Sequence, residues 1–140
     1  MATPKFADVK VGDPLPPYVH EKITRTDLVR YAGASGDYNP MHHDELLATS
    51  VGMPSVFAHG MLSMGILSNV LVRWAGPGAI RHFEVQFRAI TWPDDRVTCT
   101  ATVTGTREAK GEKLVDVDLQ CETKPGTRSI VGKATVALAA

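Results

Sequence analysis

The feature that most constrains this chain is a two-residue alternation running through its C-terminal half. Phe83, Val85, Phe87 and Ala89 alternate with Glu84, Gln86 and Arg88; Val97, Cys99, Ala101 and Val103 alternate with threonines; Val115, Val117, Leu119 and Cys121 alternate with Asp116, Asp118 and Gln120. A further strand is predicted over about Ser129 to Leu138. Side chains of a strand point to opposite faces in turn, so each of these strands buries one face only. Turn-forming clusters at Pro93-Asp94-Asp95, Lys110-Gly111-Glu112 and Lys124-Pro125-Gly126 separate them. A hairpin centred on Lys110 sets Cys99 opposite Cys121, Ala101 opposite Leu119 and Val103 opposite Val117, all apolar on the inner face. A one-residue slip would bury Asp116 against Val103. Both cysteines are therefore expected to be reduced packing residues.

A sheet with one apolar face needs a cover. The segment from Met61 to Trp74 is the longest apolar stretch and is apolar on most sides, as a buried helix is. The fold class is thus α+β: an antiparallel sheet curled around one central buried helix. The 140 residues suit one domain spanning 1–140. Upstream, Pro14, Pro16 and Pro17 lead into a strand predicted over Tyr18 to Ile23. Thr24 and Asp27 have the spacing of a capping box, and Leu28, Tyr31 and Ala32 share one helical face. Glycines between 33 and 36 should end that helix. Asp44 is placed to cap a second short helix through Ala48, stopped near Gly52.

Lys plus Arg and Asp plus Glu number 15 each, which argues against a nucleic-acid binder. The N-terminus lacks the apolar core of a signal peptide, and Ser63, Gly65, Ser68 and Asn69 interrupt the one apolar segment too often for a membrane span. A cytoplasmic protein with free thiols is expected.

Reactive groups concentrate in Ser35-Gly36-Asp37-Tyr38-Asn39-Pro40-Met41-His42. Asp37 and His42 are five apart across a turn held by Pro40, where a carboxylate and an imidazole can share one water molecule for acid/base work. Asn39 offers a donor and an acceptor to orient substrate or fix the loop. Taken alone, Asp and Asn before Pro are ordinary turn residues. The second cluster is Ala58-His59-Gly60, opening the central helix. Free amides at a helix start favour negative charge, and Gly60 has no side chain to keep a carbonyl oxygen away. The five histidines form no spaced set with Cys or carboxylates resembling a zinc site, so neither a metal nor a cofactor is expected.

Together, Gly36-Asp37-Tyr38-Asn39-Pro40-Met41-His42 and Ala58-His59-Gly60 resemble the paired motifs of the MaoC-like, R-specific enoyl-thioester hydratases and 3-hydroxyacyl-thioester dehydratases. The likeness runs from Tyr18 to the last strand. It implies a hot-dog fold and reversible syn hydration of trans-2-enoyl thioesters on coenzyme A or acyl-carrier protein. It further implies that Asp37 and His42 hold the catalytic water, that Asn39 positions them and that the Gly60 amide binds the thioester oxygen. Ser68 matches a polar position lining the site in some members. His59 fits the motif, either as a structural hydrogen-bonding residue or as a catalytic one.

The Met53-to-Ala58 approach is similar to that of dehydratase subunits of bacterial fatty-acid elongation. Trp74-Ala75-Gly76-Pro77 is similar to the helix ending in steroid side-chain hydratase subunits. Members of the family pair two hot-dog units, so a homodimer or a heterodimer with another hot-dog subunit is expected. The rivals are a non-catalytic hot-dog subunit completing a partner's acyl tunnel, which lacks the acid/base pair, and a thioesterase, which usually carries a carboxylate on the central helix. The phosphates of the acyl carrier predict that some of Arg73, Arg81, Arg88, Arg96 and Lys133 gather at the site.

Overall fold

The structure, a computed structural model, describes residues 3–139. Five strands form one antiparallel sheet among them: β1 (Tyr18–His20), β2 (Ile80–Phe87), β3 (Val97–Ala109), β4 (Glu112–Lys124) and β5 (Thr127–Leu138), in the order β1-β3-β4-β5-β2. Three helices, α1 (Arg25–Ser35), α2 (Glu45–Ser50) and α3 (Gly60–Ala75), precede β2. α3 buries Ile66, Leu67, Val70 and Leu71 against the inner face of the sheet, where Val97, Cys99, Val103, Val117, Cys121 and Val136 are buried. This is the antiparallel sheet around a buried helix that the alternation predicts, and the hot-dog arrangement that the resemblance implies, with α3 as the filling.

The local signals act where the sequence places them. Thr24 and Asp27 form a reciprocal capping box at the start of α1, each side chain accepting from the other's backbone amide. Gly33 lies within α1, and Gly36, in the left-handed region at φ 74°, closes it. Asp44 caps α2 through the Leu47 amide.

Three features differ from expectation. The first strand stops at His20 because its partner β3 begins at Val97, which pairs with His20 and leaves no ladder beyond. Ile23 instead bonds to the turn at Asp94 and Asp95. β2 begins earlier, at Ile80, and ends at Phe87, because the amides of Arg88 and Ala89 converge on the single carbonyl of Ser129. Phe87 is consequently not sealed under the sheet but is 52% exposed.

The third difference lies in the β3–β4 hairpin. Cys99 faces Cys121, Ala101 faces Leu119 and Val103 faces Val117, as the alternation requires. The turn itself is the two-residue Lys110-Gly111, both at positive φ, with Ala109 opposite Glu112. Extrapolated inward, that turn would set Val103 against Asp118. A register shift between Val103 and Gly105 absorbs one residue and restores the apolar pairing.

Candidate active site

Between α1 and α2 the chain makes one tight excursion. Pro40 opens a single 3-10 turn, Pro40–His42, whose fixed φ suits a first helical position. Asn39 caps it: its side-chain oxygen accepts from the Met41 amide at 3.1 Å, and its carbonyl accepts from the His42 amide at 3.0 Å. The Asp37 carboxylate accepts from the Asn39 amide at 3.2 Å, and the Asp37 amide donates to Ser35 Oγ at 3.2 Å. A carboxylate that is exposed and an imidazole that is buried are thereby presented by one rigid turn.

A second segment fixes the imidazole. The Phe57 amide donates to the Met41 carbonyl at 3.4 Å, and the Phe57 carbonyl lies 2.7 Å from His42 Nδ1. A carbonyl only accepts, so Nδ1 carries the hydrogen and Nε2 keeps its lone pair. The chain then passes Ala58, whose amide donates to Thr91, and reaches His59 at the N-cap of α3. His59 is 1% exposed. Its Nε2 donates to the Asp37 carbonyl at 3.2 Å, and its ring stacks on His42 with centroids 3.8 Å apart and planes 28° apart. The edge of Tyr31 packs on it at 4.9 Å. Burial holds His59 below the usual imidazole range, and the neighbouring His42 and His43 push the same way. The Asp37 carbonyl and carboxylate oppose them.

A carboxylate oxygen of Asp37 and one ring nitrogen from each of His42 and His59 lie within 4.8 Å of one another. That spacing would admit a metal ion, but the ring geometry does not fit one. Two face-stacked imidazoles direct their in-plane lone pairs side by side, whereas zinc ligands must converge on one point. The arrangement suits proton transfer.

Beside this cluster opens a cleft of about 310 Å³ lined by Phe57, Gly60, Ser63, Phe87, Ile90 and Thr91, among others. α3 begins at its wall. Among the described residues no side chain caps α3, and no acceptor takes the amides of Gly60, Met61 and Leu62. The Phe87 ring closes on the Gly60 Cα: an added Cβ would lie 3.2 Å from Phe87 Cε1. A side chain there would press on the Phe87 ring, and glycine leaves the helix start bare.

Of the predicted site residues, Asp37, Asn39, His42 and Gly60 come together. Ser68 is two turns further along α3, half-buried, with its hydroxyl donated to the Gly65 carbonyl at 2.7 Å. The buried Ser63 lines the cleft beside Gly60. Helical spacing could have singled it out, since it follows Gly60 by three residues. Among the five cations expected near the site, Arg88 lines the cleft. Arg81 pairs with Glu112 at 2.7 Å and Arg96 with Glu21 at 3.2 Å, while Arg73 lies 4.5 Å over the Tyr18 ring. Lys133 stands opposite Glu84 on β2 and Asp118 on β4. Arg81 and Arg96 are thus committed to acidic partners, and Arg88 itself donates to Gln86 at 2.8 Å. No helix among the described residues is long and apolar enough to cross a membrane.

Comparison with known proteins agrees with this geometry. Residues 7–124 match the model of the MaoC like domain. An (R)-specific enoyl-CoA hydratase of Rhodospirillum rubrum is 39% identical over 133 residues, covering 94% of this chain and 89% of the relative. A 3-hydroxybutyryl-CoA dehydratase of Methylorubrum extorquens is 31% identical over 140 aligned positions, covering 86% and 88%. Among solved structures, the unliganded R-hydratase PhaJ1 of Pseudomonas aeruginosa superposes with a TM-score of 0.84 at 25% identity, covering 97% of this chain and 86% of that one. With its Asp37-to-His42 turn, its bare helix start and its wrapped helix in place, this chain belongs to the MaoC-like dehydratase family.

Proposed function

We propose that this chain is a hydro-lyase that adds water to trans-2-enoyl thioesters and, in reverse, dehydrates (R)-3-hydroxyacyl thioesters. One observation carries the reading: the Asp37 carboxylate sits beside an imidazole whose tautomer the Phe57 carbonyl has fixed, leaving His42 Nε2 as a proton acceptor. The thioester oxygen accepts from the Gly60 amide, where the start of α3 stabilises enolate charge as it develops. His42 Nε2 takes a proton from water as the hydroxyl adds to C3, and the Asp37 carboxylate receives that proton from His42 and delivers it to C2 on the same face, so that both groups end as they began. Asn39 keeps the turn in shape, and the Ser68 hydroxyl lines the acyl path further along α3.

The relatives' names favour a coenzyme A carrier and a short acyl chain. A thioesterase reading has no carboxylate on α3 to support it. The working assembly is a dimer, of this chain with itself or with another hot-dog subunit, in which the outer strand β2 and the exposed Met61 and Phe87 are covered. Its setting is the cytoplasm, where Cys99 and Cys121 stay reduced. The test follows loss of the enoyl-thioester absorbance of crotonyl-CoA, then of longer enoyl chains. Release of free thiol without hydration would overturn the reading, and light scattering that found a stable monomer would overturn the dimer.

A further inference from the structure

We propose that His59 is a positioning residue that locks the catalytic turn onto the start of α3 and supports the His42 ring from behind. The proposal rests on the reading of Asp37 and His42 as the acid/base pair. Because a carbonyl must receive a hydrogen, the contact from His59 Nε2 to Asp37 O fixes His59 as the Nε2–H tautomer. Its other nitrogen, Nδ1, is buried and has no hydrogen-bond partner. A proton placed there would bury an unpaired charge, so the ring is neutral, in keeping with the direction in which burial drives it.

A neutral ring suits the position it occupies. It stacks at 3.8 Å on the imidazole that must accept a proton during hydration. A cation at that distance would oppose His42 becoming charged, whereas a neutral ring does not. Tyr31 on α1 packs its edge against His59 and keeps it in place. The titratable groups facing it are Asp37, His42, His43 and Tyr31. His59 is also the N-cap of α3, with its backbone one residue from the Gly60 amide. One side chain therefore ties together the carboxylate's backbone, the basic imidazole and the oxyanion-binding helix start. His59 leaves no lone pair free toward water, since Nε2 is spent on Asp37 and Nδ1 is sealed, so its part is to place the reacting groups.

Two variants separate the ring from the hydrogen bond. His59→Phe keeps an aromatic stack on His42 but removes the donor to Asp37. His59→Gln keeps an N–H at comparable reach but removes the stack. With crotonyl-CoA, His59→Phe is expected to lower kcat by about a hundredfold, the scale of a misplaced catalytic group, with KM little changed. His59→Gln should recover at least tenfold of that loss. In the wild-type protein, nitrogen-15 spectra should show His59 with Nε2 protonated and Nδ1 bare across the active pH range. Wild-type kcat in His59→Phe, alongside inactive Asp37→Asn and His42→Gln, would overturn the positioning role and leave the hydratase reading standing. Full turnover in Asp37→Asn and His42→Gln would instead overturn the reading beneath it. Should His59→Phe fail to fold, the decision passes to His59→Gln and the spectra. A protonated Nδ1, or a folded His59→Gln variant whose kcat is down a hundredfold or more, counts against the proposal.

Discussion

This molecule buries two pairs of titratable side chains in two unlike settings. In the β3–β4 ladder, Cys99 and Cys121 lie 3.5 Å apart, sulfur to sulfur, each fully buried. Where the catalytic turn meets α3, His42 and His59 lie 3.8 Å apart, ring to ring, and are also buried. The cysteines have only each other and an apolar surround. Their mutual contact and burial push the Cys121 thiol far up, so it cannot act as a thiolate nucleophile. The histidines are each held by a backbone carbonyl, and an exposed carboxylate stands beside them. Burial alone makes a group inert. Burial with fixed hydrogen-bond partners and one open side makes it useful.

The largest effect that would sharpen this contrast is on turnover. Asp37→Asn or His42→Gln should lower crotonyl-CoA hydration by about a hundredfold or more, while circular dichroism melts stay near wild type, since both residues sit on a turn outside the core. The complementary change is Cys121→Ser. It should leave turnover intact but cost about 1–3 kcal/mol in urea unfolding, because a hydroxyl in an apolar surround lacks a partner there. Loss of activity in a folded Cys121→Ser protein would break the distinction between the two pairs.

A smaller effect concerns acid. His59 is held below its ordinary 6.5, chiefly by burial, so the unfolded chain binds its proton more readily than the folded one. The stability His59 contributes is therefore whole above pH 6.5 and declines as pH falls below it toward the depressed folded value. Urea midpoints measured downward from neutrality should show this decline, and His59→Phe should flatten it. The smallest effect is a calibration far from both pairs. Lys110 holds φ at 53° in the hairpin turn, and Lys110→Asn, which tolerates that conformation, should stabilise by about 0.5–1 kcal/mol with turnover unchanged.

The sheet was legible because a half-buried strand writes its faces directly into the chain, and the pairing of Cys99 with Cys121 followed from refusing to bury Asp116. Yet that register assumed a turn centred on Lys110. The true turn centre falls between Lys110 and Gly111, and the shift between Val103 and Gly105 compensates. The apolar pattern is thus a stronger guide to register than the turn, because mispairing buries charge whereas a bulge costs little. In the site, Asp37, Asn39 and His42 were readable because proline and short polar residues leave few conformations. The carbonyl of Phe57, which fixes the tautomer of His42, has no signature in a sequence, since every residue has one. Phe87 misled for a related reason: alternation says which way a side chain points, but not that the ladder ends there and opens the cleft.

The bare beginning of α3 has a consequence for how this protein meets its ligand. Most helices are finished by a side chain of their own, usually serine, threonine, aspartate or asparagine. Here the N-cap is His59, whose ring is committed to Asp37, and the first amides of α3 are left without an acceptor among the described residues. The fold is in this sense written one oxygen short. On the proposed reading, an incoming thioester carbonyl would complete it, and become for the duration of the reaction part of the secondary structure that holds it.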